Sequence, residues 1–352
     1  MDLSQLLQIT VQRKASDLHL TAGSPPTLRV DGQLVPLSDQ ALTDEMTIQL
    51  VSQAVSPEQK EQISVNKELD FSLNFGNQAR FRVNAYHQKG TLAAAFRQIP
   101  MQIPEIDSLG LPKICHQFAT LRQGFILVTG PTGHGKSTTL AATIEEINRT
   151  RPVHIVTIED PVEFVFTPKR SIISQREMHA DTHSWEIALR SCLREDPDVV
   201  LVGEMRDYET MAAALTVAET GHLVFATLHT NSAAQTVDRI IDAFPEEQQN
   251  QIRIQLSMTL EAVLSLRLMP ALPSGRTIAY EIMVATSAVR TSIRESKSHQ
   301  IDNIIQTSGE LGMVPLDASL AELVKQGKVS LETATEYSLH PEEITRLVTG
   351  KK

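Results

Sequence analysis

Cysteine is scarce in this chain. Its 352 residues include two, Cys115 and Cys192, each in a segment that reads as a helix or the approach to one. Two distant cysteines exclude a cysteine-rich zinc module and suit a reducing cytosol. Long apolar runs are missing as well. The longest are strand-sized, such as Val199-Val200-Leu201-Val202, far short of a bilayer crossing, so no transmembrane segment is expected. The start, Met1-Asp2-Leu3-Ser4-Gln5, lacks the basic stretch and apolar core of a secretion signal. Nor is there a basic surplus. The formal net charge of −10 counts against a broad, non-specific grip on nucleic acid and leaves room only for a local basic channel. The single tryptophan, Trp185, reads as a core anchor. No low-complexity tract or fixed-period repeat interrupts the chain. Hydrophobic residues at 41% and charged residues at 21% give the balance of a globular protein, long enough for two domains with a core each.

Against that plain background one stretch stands out: Gly130-Pro131-Thr132-Gly133-His134-Gly135-Lys136-Ser137-Thr138. It fits the phosphate-binding loop pattern G-x-x-x-x-G-K-[ST]. A short apolar strand, residues 124–129, precedes it, and a helix-compatible run follows over 139–148, with Leu140, Ala141, Ile144 and Ile147 on its apolar positions. Glycines let successive backbone N–H groups turn inward around phosphate oxygens, and the helix N-terminus adds positive potential. In such a loop Lys136 reaches the β- and γ-phosphates and Ser137 holds Mg²⁺. The ligand expected is ATP.

Residues 1–98 read as a small α/β domain. Strand-like pieces fall at 17–20, 27–30, 69–75, 80–86 and 92–97, with Asp31-Gly32 as a hairpin turn after the second. Helical spacing covers 43–55, with Thr43 as the N-cap. Three prolines and a glycine within 99–112 then make an extended connector and place a domain boundary there. Further on, apolar strands at 125–128, 153–158, 199–202 and 223–227 alternate with helical patterns, the mark of a largely parallel, buried sheet. A long amphipathic helix is predicted over 246–266, a strand over 277–284, and short helices from 287 onward, among them 316–325 and 331–337. These last helices are expected to pack on their own domain, with capping of a ring face as the alternative.

Three further segments stand at strand ends, where α/β sheets bind their ligands. Thr157-Ile158-Glu159-Asp160-Pro161-Val162-Glu163 delivers three carboxylates to a proline-marked turn. Asp198-Val199-Val200-Leu201-Val202-Gly203-Glu204 is an apolar strand ending in an acid, the way such enzymes hold Mg²⁺, here with Glu204 in place of the usual Asp. His222 and His229 bracket a buried strand, and one of them could sense a γ-phosphate. His19, His87 and His116 show no partner pattern and read as structural.

With Ala15-Ser16-Asp17-Leu18-His19-Leu20 and Leu193-Arg194-Glu195-Asp196-Pro197-Asp198, these boxes form an ordered set over nearly the whole chain. The set resembles the secretion-type ATPases of type II secretion and type IV pili. The phosphate loop, an Asp box (157–163), a Walker B box (198–204) and a His box (220–229) match in order. Within that family the chain is most similar to the pilus-retraction subgroup. It reaches the 15–20 motif almost at once, without the extra N-terminal domain of the pilus-assembly relatives, and it cannot supply their four-cysteine zinc insert. Ala288-Val289-Arg290-Thr291-Ser292-Ile293-Arg294-Glu295 takes the place of the subgroup's A-I-R-N-L-I-R-E, departing at Val289, Thr291 and Ser292.

The resemblance implies an α/β architecture: a PAS-like domain at 1–98, the connector at 99–112, a RecA-like ATPase core at 113–286 and a helical region at 287–352. It implies a homohexameric ring at the cytoplasmic face of the inner membrane, acting on pilin indirectly through a membrane platform protein, with no nucleic-acid partner. Each subunit would bind ATP between its two domains. Arg82 and Arg97 match the family's phosphate-reaching arginines. Lys136 with the loop amides, from Gly130 to Thr138, would bind phosphates, and Ser137 and Glu204 would position Mg²⁺. Glu163 would orient or deprotonate the attacking water, and His229 or His222 would report the phosphate state. Alternatives are an assembly or accessory motor of the same family and, more distantly, a RecA-like nucleic-acid translocase.

Overall fold

The computed structural model describes residues 1–30, 32–76, 78–99 and 102–350. Asp31 of the expected hairpin turn and Pro100 and Met101 of the expected connector lie outside the described residues. The chain divides into two compact units, one of Met1–Gln102 with Pro161–Val165, the other of Ile103–Asp160 with Phe166–Lys352.

The first unit runs α1 (Leu3–Gln12), β1 (Asp17–Leu20), β2 (Thr27–Val30), β3 (Gln33–Pro36), α2 (Asp44–Ser52), α3 (Pro57–Asn66), β4 (Glu68–Phe75), β5 (Ala79–Gln88) and β6 (Thr91–Ile99). Its six strands form one sheet in the order β3-β2-β1-β6-β5-β4, with every pairing antiparallel. Strand β5 alternates buried and half-buried residues along Ala79, Phe81, Val83 and Ala85, so the sheet has one apolar face. Leu6, Leu18, Leu28, Phe81 and Phe96 fill the core against it. Helix α1 was not anticipated, although its signals are local. Asp2 and Gln5 form a capping box, and Leu3, Leu6, Leu7 and Thr10 line its buried face. Thr43 caps α2 as expected, accepting from the Met46 N–H.

The second unit continues with α4 (Ile114–Thr120), β7 (Gly124–Thr129), α5 (Lys136–Thr150), β8 (His154–Glu159), β9 (Ile172–Glu177), α6 (Trp185–Cys192), β10 (Val199–Val202), α7 (Tyr208–Glu219) and β11 (Leu223–Leu228). After these come α8 (Ala233–Asp242), α9 (Glu246–Thr259), β12 (Leu260–Pro270) and β13 (Arg276–Val284), then α10 (Ser287–Arg294), α11 (Ile301–Thr307), α12 (Leu316–Lys325), α13 (Leu331–Tyr337) and α14 (Pro341–Thr349). The sheet order is β13-β12-β7-β11-β10-β8-β9. All neighbours are parallel except β13, which pairs antiparallel with β12 at the edge.

The single helix expected over 246–266 is corrected by this sheet. Helix α9 stops at Thr259, and Leu260–Pro270 is a strand. Apolar residues at Leu260, Ala262, Val263, Leu264 and Leu266 occupy both parities, because β12 lies between β7 and β13 and is buried on both faces. Such a run carries no period that separates strand from helix. Arg290 of α10 closes the junction by donating to the Ser257 and Met258 carbonyls at 2.9 and 3.0 Å. Its guanidinium also pairs with Glu261 at 2.8 Å.

The terminal helices pack on their own unit. Leu316, Leu320, Ala334 and Ile344 form a small core with Met269 of β12 and Ala279 of β13. Among the described residues no helix is long and apolar enough to cross a membrane.

Candidate nucleotide site

Strand β7 is buried at all of its six positions and delivers the chain to Gly130. There φ is 135°, and a Cβ would stand 2.5 Å from the Leu266 carbonyl oxygen of β12. Only glycine allows that approach. Gly135, at φ 87°, is the N-cap of α5, so the loop ends by presenting the first amides of a helix, the arrangement that binds anions.

Lys136 opens α5 and is 8% exposed. Its ammonium donates to the carbonyls of Gly130 and Pro131 at 2.8 and 3.0 Å. It also lies 3.3 Å from His229 Nδ1. Because a lysine ammonium only donates, that ring nitrogen accepts, and the proton of the neutral imidazole sits on Nε2. His229 Nε2 in turn lies 3.2 Å from a Glu204 oxygen. Burial and the Lys136 charge hold the His229 pKa below its ordinary value, against the opposing pull of Glu204. A chain of Lys136, His229 and Glu204 therefore crosses the C-terminal ends of β7, β11 and β10. Thr132 touches it, with its hydroxyl 3.5 Å from His229 Nδ1.

Other predicted residues are placed elsewhere. His222 precedes β11, at the opposite end of that strand from His229. Its Nδ1 lies 3.0 Å from the Val217 carbonyl at the end of α7. Glu159 is buried at the end of β8 and accepts from the Thr157 hydroxyl at 2.7 Å. Glu163 is half-buried, in the short segment that groups with the first unit. Arg82 and Arg97 also belong to the first unit, directly opposite each other on β5 and β6. Two like charges in register destabilise a strand pair unless something offsets them. Asp70 lies 3.8 Å from Arg82, and the nearly buried Asp17 lies 3.0 Å from Arg97. The Arg97 side chain nevertheless stays 71% exposed.

Sequence reasoning missed several supporting residues. Arg206 pairs with Glu204 at 2.9 Å, two residues downstream of it. Arg267, on β12, donates to the Asn231 carbonyl and side-chain oxygen at 2.9 and 3.1 Å. Glu281, on β13, accepts from the Ala233 N–H at 2.6 Å, and burial pushes its carboxyl up to about 7. Together these two fix the turn that carries His229 from β11 into α8. Their signal was a charged residue inside an apolar strand, which is rarely buried without a task. A separate grouping of Asp317, His340 and Glu343 brings ligand-type atoms within 4.8 Å of one another. Both Asp317 oxygens there already accept protein hydrogen bonds, from Ser338, Leu339 and His340.

A buried, mainly parallel sheet with a phosphate loop between β7 and α5 defines a phosphate-loop nucleotide-binding protein with a RecA-like core. More narrowly, the chain belongs to the type II/IV secretion system protein family, which it matches over residues 1–336. It is 46% identical over 342 residues to the type IV pilus retraction ATPase PilT of Pseudomonas aeruginosa, covering 97% of this chain and 99% of that one. A twitching motility protein of Neisseria gonorrhoeae is 45% identical, with 97% of this chain and 92% of the relative covered. Among solved structures, that of the pilus retraction motor PilT with bound ADP superposes with a TM-score of 0.92 at 44% identity. The match covers 98% of this chain and 99% of that one.

Proposed function

We propose that this chain is a motor ATPase that hydrolyses ATP to retract type IV pili. The observation that carries the reading is end-to-end similarity, in sequence and fold, to a retraction ATPase, with the phosphate-loop lysine wired to His229 and Glu204. In this reading Lys136 leaves its carbonyl partners for the β- and γ-phosphates, and the loop amides from Gly130 to Thr138 hold the remaining oxygens. His229, neutral and donating from Nε2, links the lysine to Glu204 and so reports whether a γ-phosphate is present. Glu163 orients or deprotonates the attacking water. Arg82 and Arg97 neutralise charge on the transferring phosphoryl group. His222, at the far end of β11, takes no part within its own site.

The donor set suits magnesium. A Ser137 hydroxyl and a Glu204 carboxylate are hard oxygen ligands, with no thiolate among them. The bound ion would supply charge neutralisation at the β- and γ-phosphates. The working assembly is a homohexamer at the cytoplasmic face of the inner membrane, pushing on a membrane platform protein and through it on pilin, without nucleic acid. Phosphate release from ATP tests the enzyme. It should require magnesium and fall to background in Lys136→Ala; undiminished release by that variant would refute the site.

A further inference from the structure

One side chain of the phosphate loop is not absorbed by this mechanism. Strand β12 pairs with β7 only as far as Ser265 opposite Thr129, but it pairs with β13 on to Pro270 opposite Arg276. Past Ser265, the edge that faced β7 has lost its strand partner, because β7 has turned into the loop. A strand-edge N–H left there needs an acceptor. The Leu268 N–H finds one in His134 Nδ1, at 3.3 Å. On the same imidazole, the Tyr337 ring at the end of α13 sits 6.3 Å away between centroids, tilted by 33°, within the range of aromatic pairing. Tyr337 itself packs against the small core of Met269, Ala279, Leu316 and Leu320.

We propose that His134 is a positioning residue, whose unprotonated imidazole ties the phosphate loop to β12 while Tyr337 braces it from the C-terminal helices. The inference rests on the nucleotide-site reading above. Its chemistry is that of a tautomer. With the proton on Nε2, Nδ1 accepts from Leu268; the imidazolium has a donor at both nitrogens and cannot. Protonation therefore releases the loop from the strand. The charged groups facing the ring act in the same sense: Arg267 from β12 and Lys136 from α5 both oppose a positive imidazole, with burial the largest cause of its lowered pKa. From α13 the ring meets the Tyr337 ring. The tied loop is thus favoured above the ordinary histidine value of 6.5 and is progressively lost below it. The C-terminal helices, through Tyr337, gain a direct hold on the nucleotide loop.

The test is affinity for a fluorescent ADP analogue on the full chain, from about pH 8 down to about pH 5.5, across the histidine range. Wild type should lose affinity several-fold toward acid. His229 is a second titratable ring beside the loop, so the decisive quantity is the difference from His134→Asn, whose Oδ1 replaces Nδ1 at the same bond count without titrating. That variant should show a flatter profile. Tyr337→Ala should weaken binding about threefold in the wild-type background and add nothing to His134→Leu. Parallel profiles for wild type and His134→Asn, or fully additive losses with Tyr337→Ala, would overturn the proposal. Saturable binding by wild type that Lys136→Ala loses upholds the nucleotide site whichever way the histidine comparison falls; no binding by wild type sinks both.

Discussion

A lysine that is 8% exposed must have its charge met, and Lys136 meets it with two carbonyl oxygens and a histidine. Those partners are weaker than phosphate, so the ammonium is held in place yet free to exchange them for a nucleotide. Of the acids, Glu204 is tied to His229 and Arg206, and Glu163 is the one we propose for the water. Glu163→Gln keeps shape and removes the proton acceptor. Turnover should fall roughly 10²–10⁴-fold, the usual reach of general-base catalysis, while binding of the ADP analogue persists. Single-turnover phosphate release beside a binding titration measures both, and full hydrolysis by the variant would remove Glu163 from the role. Residue type and spacing made Lys136, Glu204 and His229 legible, because motif residues stand at strand ends. His116 was not legible. It bridges Asp107 and Glu146, 9 and 30 positions away, and no local spacing encodes a contact made only after folding.

Short apolar runs bounded by turn residues were read as strands, whereas the long one that continues from a helix was not, and α1 was missed despite its periodic buried face. Strands β7, β10 and β11 are short apolar runs bounded by turn residues, and α12 and α13 fall on the residues expected. β12 failed because burial on both faces erases the difference between a period of 2 and one of 3.6. Its start is set by Arg290, which caps α9 from a helix that follows the strand in sequence. The terminal helices depend on a comparable long-range tie. Asp317 of α12 accepts from Ser338 and Leu339 and pairs with His340 at 2.8 Å, joining α12 to the turn before α14. Asp317→Ala should leave those donors unmet and cost about 1–3 kcal/mol. The tie is also pH-dependent. Hydrogen bonding to Asp317 raises the His340 pKa above 6.5, so its stabilisation is complete below 6.5 and is lost as pH rises through the raised value. Hydrogen exchange in α13 and α14, normalised to intrinsic rates, should show protection falling from acid toward alkaline pH in wild type and low throughout in Asp317→Ala. Equal protection in the two proteins would show that the pair carries no stability.

At the scale of the whole molecule the chemistry of hydrolysis does not set the direction of work. A phosphate loop, a water-activating acid and a γ-phosphate sensor serve a motor that extracts pilin and one that inserts it equally well. Direction comes from how the moving surfaces engage their membrane partner. Retraction is therefore read from similarity along the full chain rather than from any single side chain. The segment 288–295 illustrates the limit: Val289 and Ser292 are buried and Arg290 is spent on capping α9, so substitutions there answer first to packing. A cell-level measurement separates the two directions. Cells lacking this chain, or carrying Lys136→Ala, should display abundant surface pili and lose surface motility, because pili still assemble but are not withdrawn. Absence of pili in both strains would instead make the chain an assembly motor, with the nucleotide site intact and the direction reversed. Normal pili and normal motility in both would remove it from the pilus machine altogether, and only the ATPase would stand.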